Sequence, residues 1–291
     1  MTVSSTNHVP AEPTPTRRDG TRYLWDDEPD LGAEHLELLE LVLDPYSIGQ
    51  LERLDLPERA RCLEIGAGNG SIARWLAQRP DPAVGSVLAT DLDTAYLSPM
   101  AGVSVLQHDI TDGVPGGPYD LIHARMVLTH LPDRDAVLSR LVDALAPGGW
   151  LLLGDSAAPP TLAARPDPAD EEAFQRFARM AYEMVAPAAG QALTWAGGTH
   201  TLMQDAGLSD IHADRFSFLT RGGDLGCRLH LNLSRQGATH LRKAGLSEED
   251  LDRYQRLLMK PSFRSWFYQL VYTRGRKPQA RPSDPVRPRG G

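Results

Sequence analysis

The segment from Arg61 to Gly70 constrains the fold of this chain more than any other. It reads RCLEIGAGNG, a short apolar run that contains Glu64 near its end and continues with glycine at every second position. Glycine lacks a Cβ atom, so such a turn can adopt positive φ angles and let a ligand approach the backbone. In doubly wound α/β domains, a turn like this after the first parallel strand binds nucleotides. The segment therefore predicts a buried strand, a ligand-binding turn and a following helix.

The spacing of the glycines distinguishes two kinds of nucleotide site. Dinucleotide-binding turns follow the pattern G-x-G-x-x-G/A, whose third small residue packs the helix on the sheet. Here the third glycine is Gly70, and Ser71 stands where glycine or alanine is expected. Glu64 would also bring a carboxylate near a pyrophosphate, which is electrostatically unfavourable. The pattern favours a ligand with a cationic or hydroxyl-rich group, and a purely structural tight turn is the alternative.

Four further apolar runs follow the glycine turn. They are short, unbroken and separated by helical patterns, as is typical of buried parallel strands in βαβ units. They cover Ser86–Asp93, Val103–Ile110, Tyr119–Arg125 and Trp150–Asp155. Because the carboxyl ends of parallel strands meet at one edge of a sheet, we expect the acids at these strand ends, Asp91 and Asp109 among them, to face one crevice together with the glycine turn. For any one acid alone, capping of a following helix is an equally good explanation.

These motifs, in this order, resemble those of the class I S-adenosylmethionine (SAM) dependent methyltransferases. The segment Glu64–Gly70 looks like their E/D-x-G-x-G-x-G loop, and Asp91 resembles the acidic end of their second strand. Tyr119–Arg125 is similar to their fourth strand, and Leu145–Trp150 matches the L-x-P-G-G turn before their fifth. More loosely, residues 23–276 resemble actinobacterial methyltransferases that act on small molecules.

The resemblance implies an α/β fold with a doubly wound, Rossmann-like sheet of seven strands. Its last strand would be antiparallel, and a helical lid would cover the crevice. The division of the chain that we expect is a disordered tail at 1–20, an N-terminal helical cap at 21–58, a SAM-binding core at 59–276 with lid insertions near 157–205 and 222–262, and a second disordered tail at 277–291.

Individual elements follow from apolar spacing and from helix-stop residues. Pro45 is expected to separate two helices of the cap, since the residue before a proline disfavours helical geometry. Ser265–Thr273, which is dense in aromatic residues, is predicted as the last strand. The remaining predictions are helices at 134–145, 169–185, 199–206 and 246–259 and a strand at 211–219.

Composition narrows the class of partner. The net charge is −8, with no block of like charge in the predicted folded part, so a nucleic-acid substrate is disfavoured. We expect no membrane segment, and the cytoplasm is the default location. Cys62 and Cys227 are the two cysteines, and neither a disulfide nor a metal site is expected from them. A small-molecule substrate is the expected partner, and pairing of N-terminal helices makes a homodimer an option.

The resemblance also implies which residues hold the cofactor. The Glu64 carboxylate would favour the cationic methionine part of SAM, and Asp91 would accept the two ribose hydroxyls. Asp109 would accept the adenine amino group, while Leu92 and Ile110 would sandwich the ring. The expected cofactor-binding set is Tyr23, Glu64, Gly66, Ala67, Gly68, Gly70, Asp91, Leu92, Asp109, Ile110 and Arg125.

Catalytic and substrate-binding candidates lie in the predicted cap and lid. Tyr23 is a candidate base that would fold over the cofactor, with a packing aromatic as the alternative. His200 follows the flexible Gly197-Gly198 pair and could face the substrate, although a lone histidine is more often a surface or capping residue. The substrate-binding candidates are Trp25, Trp195, His200 and His230.

The sequence therefore predicts an enzyme that transfers a methyl group from SAM to a small molecule. We expect an aromatic or heterocyclic acceptor from specialised metabolism, methylated at carbon, nitrogen or oxygen, with an indole-type carbon as one option. Two alternatives are an NAD-dependent oxidoreductase and a protein of the same fold that binds SAM without transferring its methyl group.

Overall fold

A computed structural model of the protein describes residues 29–79 and 84–279. The candidates Tyr23 and Trp25 and the predicted tail at 1–20 lie outside these ranges, as do residues 280–291 of the second predicted tail. Lys277, the first residue of that predicted tail, donates hydrogen bonds from Nζ to the carbonyl oxygens of Val142, Asp143 and Leu145 at 2.9–3.0 Å. The ordered core thus extends at least to Lys277.

The architecture is built on one large mixed sheet. The ten strands in chain order are β1 (Ala60–Ile65), β2 (Val84–Asp91), β3 (Val103–Gln107), β4 (Tyr119–Arg125), β5 (Leu145–Ala158), β6 (Thr161–Leu162), β7 (Ser209–Phe216), β8 (Leu219–Arg221), β9 (Arg264–Trp266) and β10 (Gln269–Arg276). Seven of them form the main sheet in the order β3-β2-β1-β4-β5-β10-β7. Strands β1 to β5 pair in parallel, and β10 is antiparallel to both β5 and β7. The predicted doubly wound α/β fold is confirmed.

Helices cover both faces of this sheet. They are α1 (Pro29–Leu51), α2 (Ser71–Gln78), α3 (Arg134–Asp143), α4 (Pro168–Ala178), α5 (Ala186–Ala188), α6 (Thr199–Asp205), α7 (Leu225–Gln236), α8 (Ala238–Lys243) and α9 (Glu248–Met259). A wide, π-helical turn at Arg179–Val185 joins α4 to α5. Successive residues of a strand point to opposite faces of the sheet and so pack in different apolar layers. In β4, Leu121 packs in the layer that contains α1 and α2, and Ile122 packs in the layer that contains α3.

A separate helical lid stands beside the sheet. It consists of α4, α7, α8 and α9, and its own apolar cluster includes Phe174, Phe177 and Tyr254. The rings of Phe177 and Tyr254 stack with their centroids 3.6 Å apart. Strands β6, β9 and β8 form a small antiparallel sheet at its base. The Ser247 side chain accepts a hydrogen bond from the Asp250 amide and caps α9.

Pro45 does not divide the N-terminal cap, contrary to the prediction. Helix α1 runs through it without interruption. A proline inside a helix removes one backbone hydrogen bond, but tertiary contacts hold the helix on both sides of it. Asp44 pairs with Arg125 at 2.7 Å, and Ser47 Oγ lies 3.0 Å from Tyr272 Oη. These contacts fix α1 against the end of β4 and the middle of β10.

The predicted last strand, Ser265–Thr273, is wrong in its extent. It consists of two strands in two different sheets, β9 in the small sheet and β10 in the main sheet. Phe267 and Tyr268 form the corner between them, and both side chains are buried. The density of aromatic residues indicated extended structure, but a change from one sheet to another leaves no mark in that pattern.

Candidate active site

The glycine turn after β1 has the backbone geometry that its sequence predicts. Gly66, Gly68 and Gly70 have φ angles of 65°, 58° and 80°, all in the left-handed region that favours glycine. A Cβ atom on Gly66 would lie 2.3 Å from Val127, and one on Gly68 would lie 3.0 Å from Leu36. The turn therefore fits closely between the end of β4 and helix α1.

Two carboxylates lie beside this turn at the carboxyl ends of β2 and β3. Asp91 Oδ2 accepts a hydrogen bond from the Gly68 amide at 2.8 Å, and Oδ1 accepts one from the Asp93 amide at 3.1 Å. Burial raises the pKa of Asp91 despite these two hydrogen bonds. Asp109 Oδ1 accepts from the Thr111 amide and hydroxyl at 2.9 and 2.7 Å, so this side chain also caps a short turn.

A cavity of about 230 Å³ opens where these strand ends meet. Seven of the predicted cofactor-binding residues line it together: Gly66, Gly68, Asp91, Leu92, Asp109, Ile110 and Arg125. We call these residues the sheet wall. Arg125 Nη1 donates to Asp44 Oδ1 at 2.7 Å, so its charge is already paired.

Three other members of the predicted cofactor set lie outside the cavity lining. Glu64 is buried and accepts a hydrogen bond, its Oε2 lying 2.6 Å from His123 Nδ1 on the neighbouring strand. The expectation that Glu64 faces the ligand is therefore corrected. Ala67 and Gly70 shape the turn, since the Ala67 amide donates to the Thr90 carbonyl and the Gly70 amide donates to the Ala67 carbonyl.

The predicted substrate residues of the lid are also placed differently. Trp195 donates from its indole nitrogen to Asp135 Oδ1 at 2.7 Å, away from the cavity lining. His200 is exposed on α6 and does not line the cavity either. For both residues the expected position facing the substrate is corrected. His230 is buried in the lid, beside the cavity rather than in its wall.

The opposite side of the cavity consists of apolar residues that the sequence did not indicate. We call it the lid wall; it includes Leu36, Leu39 and Leu43 of α1, Leu229 and Leu233 of α7, Leu193, and Phe267, Tyr268 and Leu270 at the β9–β10 corner. Helix α1 is tied to α7 by the Asn232 side chain, which donates to the Leu31 carbonyl at 3.0 Å and to Glu34 at 2.9 Å. The wall thus depends on contacts between segments that are far apart in the chain.

A few buried polar atoms interrupt this apolar lining. His35 Nδ1, Ser156 Oγ and Gln236 Oε1 have no hydrogen-bond partner within the described part of the chain. Burial lowers the pKa of His35 to about 4, so its imidazole is neutral at pH 7. Buried polar groups are nearly always hydrogen-bonded in proteins. These three atoms therefore point to a bound molecule, water or ligand, with polar groups of its own.

Met126, at the end of β4, also lines the cavity and has an unusual backbone. Its φ angle is 55°, which is uncommon for a residue other than glycine. Its amide donates to the Gly154 carbonyl at 2.8 Å, and this contact holds it in place. Such strained positions are often found beside ligands. No periodicity or motif in the sequence marks this residue.

The charge distribution limits what the cavity can bind. Asp91, Asp93 and Asp109 lie on the sheet side, and among the described lining residues Arg125 is the one formally charged base. Such an arrangement attracts a cation or a group rich in hydroxyls and disfavours a pyrophosphate. Within residues 29–79 and 84–279, no cluster of potential metal ligands occurs and no helix is long and apolar enough to cross a membrane.

The chain matches known proteins over its core. A family profile described as a methyltransferase domain matches residues 44–213. Methyltransferase str3 of Strobilurus tenacellus is 33% identical over 153 residues, which are 50% of this chain and 50% of that protein. Trans-aconitate 2-methyltransferase of Mycobacterium tuberculosis is 29% identical over 101 residues, 35% of this chain and 39% of that protein. The chain thus spans half or less of the length of these curated relatives.

A solved structure extends the comparison to the whole fold. The phosphoethanolamine N-methyltransferase 2 of Haemonchus contortus, in complex with SAM, superposes with a TM-score of 0.55 at 17% sequence identity. The match covers 89% of this chain and 61% of that one. At this identity the likeness concerns the fold alone.

Proposed function

This chain belongs to the methyltransferase domain family, with the motifs of its class I SAM-dependent members, and from that premise we propose that it methylates a small molecule with SAM as the donor. The observation that carries the proposal is the cavity, in which a glycine turn and two half-buried carboxylates face an apolar lid wall. One side suits a charged nucleoside, and the other suits an uncharged acceptor.

The sheet wall fits SAM by charge and by shape. The turn at Gly66 and Gly68 offers bare backbone, while the Asp91 carboxylate suits a pair of ribose hydroxyls. Asp109 and Ile110 lie at the end of β3, where an adenine would be held between a carboxylate and apolar surface. The acidic surroundings favour the positive sulfonium and α-amino groups of SAM over the phosphates of NAD.

The lid wall supports an apolar, flat acceptor. Leucine side chains and the aromatic Phe267 and Tyr268 supply most of its surface, and among its described residues none carries a formal charge at pH 7. Burial of a charged acceptor there would cost several kcal/mol without a partner ion. We therefore propose an aromatic or heterocyclic acceptor, oriented by the polar atoms of His35, Ser156 and Gln236.

Alignment and exclusion of water are the proposed sources of catalysis. SAM, when bound, supplies an electrophilic methyl group on a positively charged sulfur. The chain orients the acceptor against that group, and orientation alone can supply roughly 7–11 kcal/mol of the barrier. His35, with its pKa lowered to about 4, would be a weak base at pH 7. This favours an acceptor atom that needs little help in losing its proton, such as an electron-rich carbon or a neutral nitrogen, over an unactivated hydroxyl.

Other finer expectations from the sequence remain predictions. They are a place in specialised metabolism, a cytoplasmic location and a homodimer.

Two measurements distinguish the proposed methyltransferase from the two alternatives, an NAD-dependent oxidoreductase and a protein that binds SAM without methyl transfer. Calorimetric titration with SAM, S-adenosylhomocysteine (SAH) and NAD should give binding of the first two alone. Incubation with methyl-labelled SAM and a panel of indoles, phenols and aromatic amines should then give a labelled product. Binding of SAM without any transfer across this panel and a cell extract would favour the non-transferring alternative.

A further inference from the structure

A second, smaller chamber of about 40 Å³ lies inside the helical lid, beside the main cavity. Most of its wall comes from α4, the wide turn after it, α7 and α8. Four residues line both spaces: Gln191, Leu193, Leu233 and Tyr268. The chamber and the cavity therefore share a wall that is one layer of side chains thick.

His230 contributes a buried polar group to the mostly apolar lining of this chamber. It lies on α7, three positions before Leu233, and only 3% of its surface is exposed. Its ring packs against Phe267 and Tyr268, with centroid distances of 5.1 and 4.8 Å. Its Nε2 atom has no hydrogen-bond partner in the described ranges. An unpartnered polar atom this deeply buried is costly, so a ligand group or a water is expected to bind it.

The charge state of His230 restricts the group that can bind there. Burial lowers the pKa of His230 to about 3, so the imidazole is neutral at physiological pH. The remaining walls are mostly aliphatic and aromatic, with Phe177, Val185 and Leu241 among them. A neutral imidazole in such surroundings can form a hydrogen bond with an uncharged hydroxyl, amide or N–H group. An ion would lose its hydration there without gaining a counter-charge.

The wide turn and a pair of tyrosines lie at the wall between the two spaces. The wide turn at Arg179–Val185 carries Ala181 and Tyr182 into the chamber, and such turns in helices are frequent at functional sites. Tyr182 Oη lies 3.1 Å from Tyr268 Oη. This hydrogen bond links the wide turn to the β9–β10 corner, next to the shared wall. A shift of Tyr268 or Leu193 would connect the chamber with the cavity.

We propose that the lid chamber extends the acceptor site, and that His230 is a specificity-determining residue that binds an uncharged polar group at the far end of an elongated, apolar acceptor. This inference rests on the proposed function, because the near end of the acceptor would lie in the main cavity. It narrows the acceptor to molecules with two ends: a flat group beside the cofactor and a distal hydrogen-bonding group in the lid.

Matched pairs of phenols test the proposal by calorimetry in the presence of saturating SAH. The first pair is phenol and hydroquinone, and the second pair is 4-phenylphenol and 4,4′-dihydroxybiphenyl. Within each pair the second compound has one additional distal hydroxyl, which lies farther from the first hydroxyl in the biphenyl pair. In at least one pair, the distal hydroxyl should tighten binding to the wild type by about tenfold, the effect of one satisfied buried hydrogen bond. His230→Leu should abolish that gain.

Two further variants distinguish the contribution of the His230 side chain from general effects of substitution on the fold. His200→Leu replaces an exposed histidine of α6 that lines neither space and should keep the tenfold gain. Ala181→Leu fills the chamber from the opposite wall and should abolish the gain with His230 intact, which keeps the test valid if His230→Leu folds poorly. A wild type without any gain, or a gain that survives both chamber variants, would overturn the inference. Absence of SAH binding in the first titration would instead refute the proposed function.

Discussion

The sheet wall and the lid wall enclose the same cavity but are built in different ways. In the sheet wall, the two carboxylates are fixed by neighbours from the adjacent strand end or from the same turn: Asp91 accepts from the Gly68 amide, and Asp109 accepts from Thr111. The lid wall is apolar and assembled from segments that are remote in the chain. For example, Asn232 of α7 donates to the carbonyl oxygen of Leu31 in α1, a residue 201 positions earlier. A prearranged polar surface suits a constant cofactor, whereas an apolar surface from several helices can change shape with the acceptor.

Substitution of Gly68 should have the largest effect, because this residue is where the two walls meet. In Gly68→Val, a branched side chain would be strained at a φ of 58° and would press against Leu36. We expect SAM binding to fall below detection in calorimetry. Gly190→Val is the control, since Gly190 has a φ of 79° with no atom within 4 Å of a Cβ. It should lose about 1–2 kcal/mol of stability and keep its SAM affinity.

Removal of Asp44 tests how firmly the lid side is attached to the sheet. Asp44 accepts from Arg125 at 2.7 Å and from Ser71 at 3.2 Å, and the charged side chains are only 13% and 14% exposed. Asp44→Ala should reduce the free energy of unfolding by about 3 kcal/mol, as expected when a largely buried charge loses its partner. Urea unfolding measures this loss.

Asp214→Ala is the matched control for the attachment of α1. Like Asp44, Asp214 accepts hydrogen bonds from two side chains, in this case Arg53 and Arg274. Its own side chain is 38% exposed. Exposed ion pairs contribute about 0–1 kcal/mol, so the loss should be small. Equal losses in both variants would mean that the Asp44 contacts do not hold α1 on the sheet.

Asp91→Ala should weaken the sheet wall without disturbing the lid wall. The variant loses the proposed acceptor of the ribose hydroxyls and the support of the Gly68 amide. We expect SAM binding to weaken by about 1.5–3 kcal/mol, the usual range for hydrogen bonds to charged groups. Asp93→Ala, which removes a second carboxylate from the same lining, should cost clearly less. If Asp91→Ala bound SAM like the wild type, the assignment of the sheet wall would be incorrect.

His35→Leu should have the smallest effect, confined to the lid side. The pKa of His35 is about 4 in the folded state against an ordinary value of 6.5, so the unfolded chain takes up the proton first as the pH falls. The free energy of unfolding therefore decreases progressively as the pH falls from about 6.5 to about 4. Between pH 7 and pH 5.5, the wild type should lose about 1 kcal/mol more than His35→Leu in urea unfolding.

The matched control for this series is His200→Leu, which replaces an exposed histidine outside the cavity lining. SAM affinity should be the same in all three proteins, because His35 belongs to the side of the cavity away from the sheet wall. A parallel pH slope for His35→Leu and the wild type would show that this histidine is not held neutral by burial.

The sequence predicted the sheet wall well because its determinants are short-range. A glycine that must take a positive φ, or an acidic residue that follows an apolar strand, is visible within a few positions. The strand at Tyr119–Arg125 has the predicted bounds, and the helix capped by Ser247 lies where expected. By contrast, the pairing of Glu64 with His123 joins two neighbouring strands and could not be inferred before their register was known.

The sequence by itself thus determined the sheet, its glycine turn and the strand ends that meet beside it, since each follows from a local backbone preference or a regular apolar period. Tertiary structure alone decided the rest: the unbroken helix across Pro45, the division of the aromatic strand at Phe267, the inward position of His35 and the enclosure of His230. Those features depend on which remote surfaces pack together, and packing energy comes from pairs of surfaces whose partners no single segment of the chain specifies.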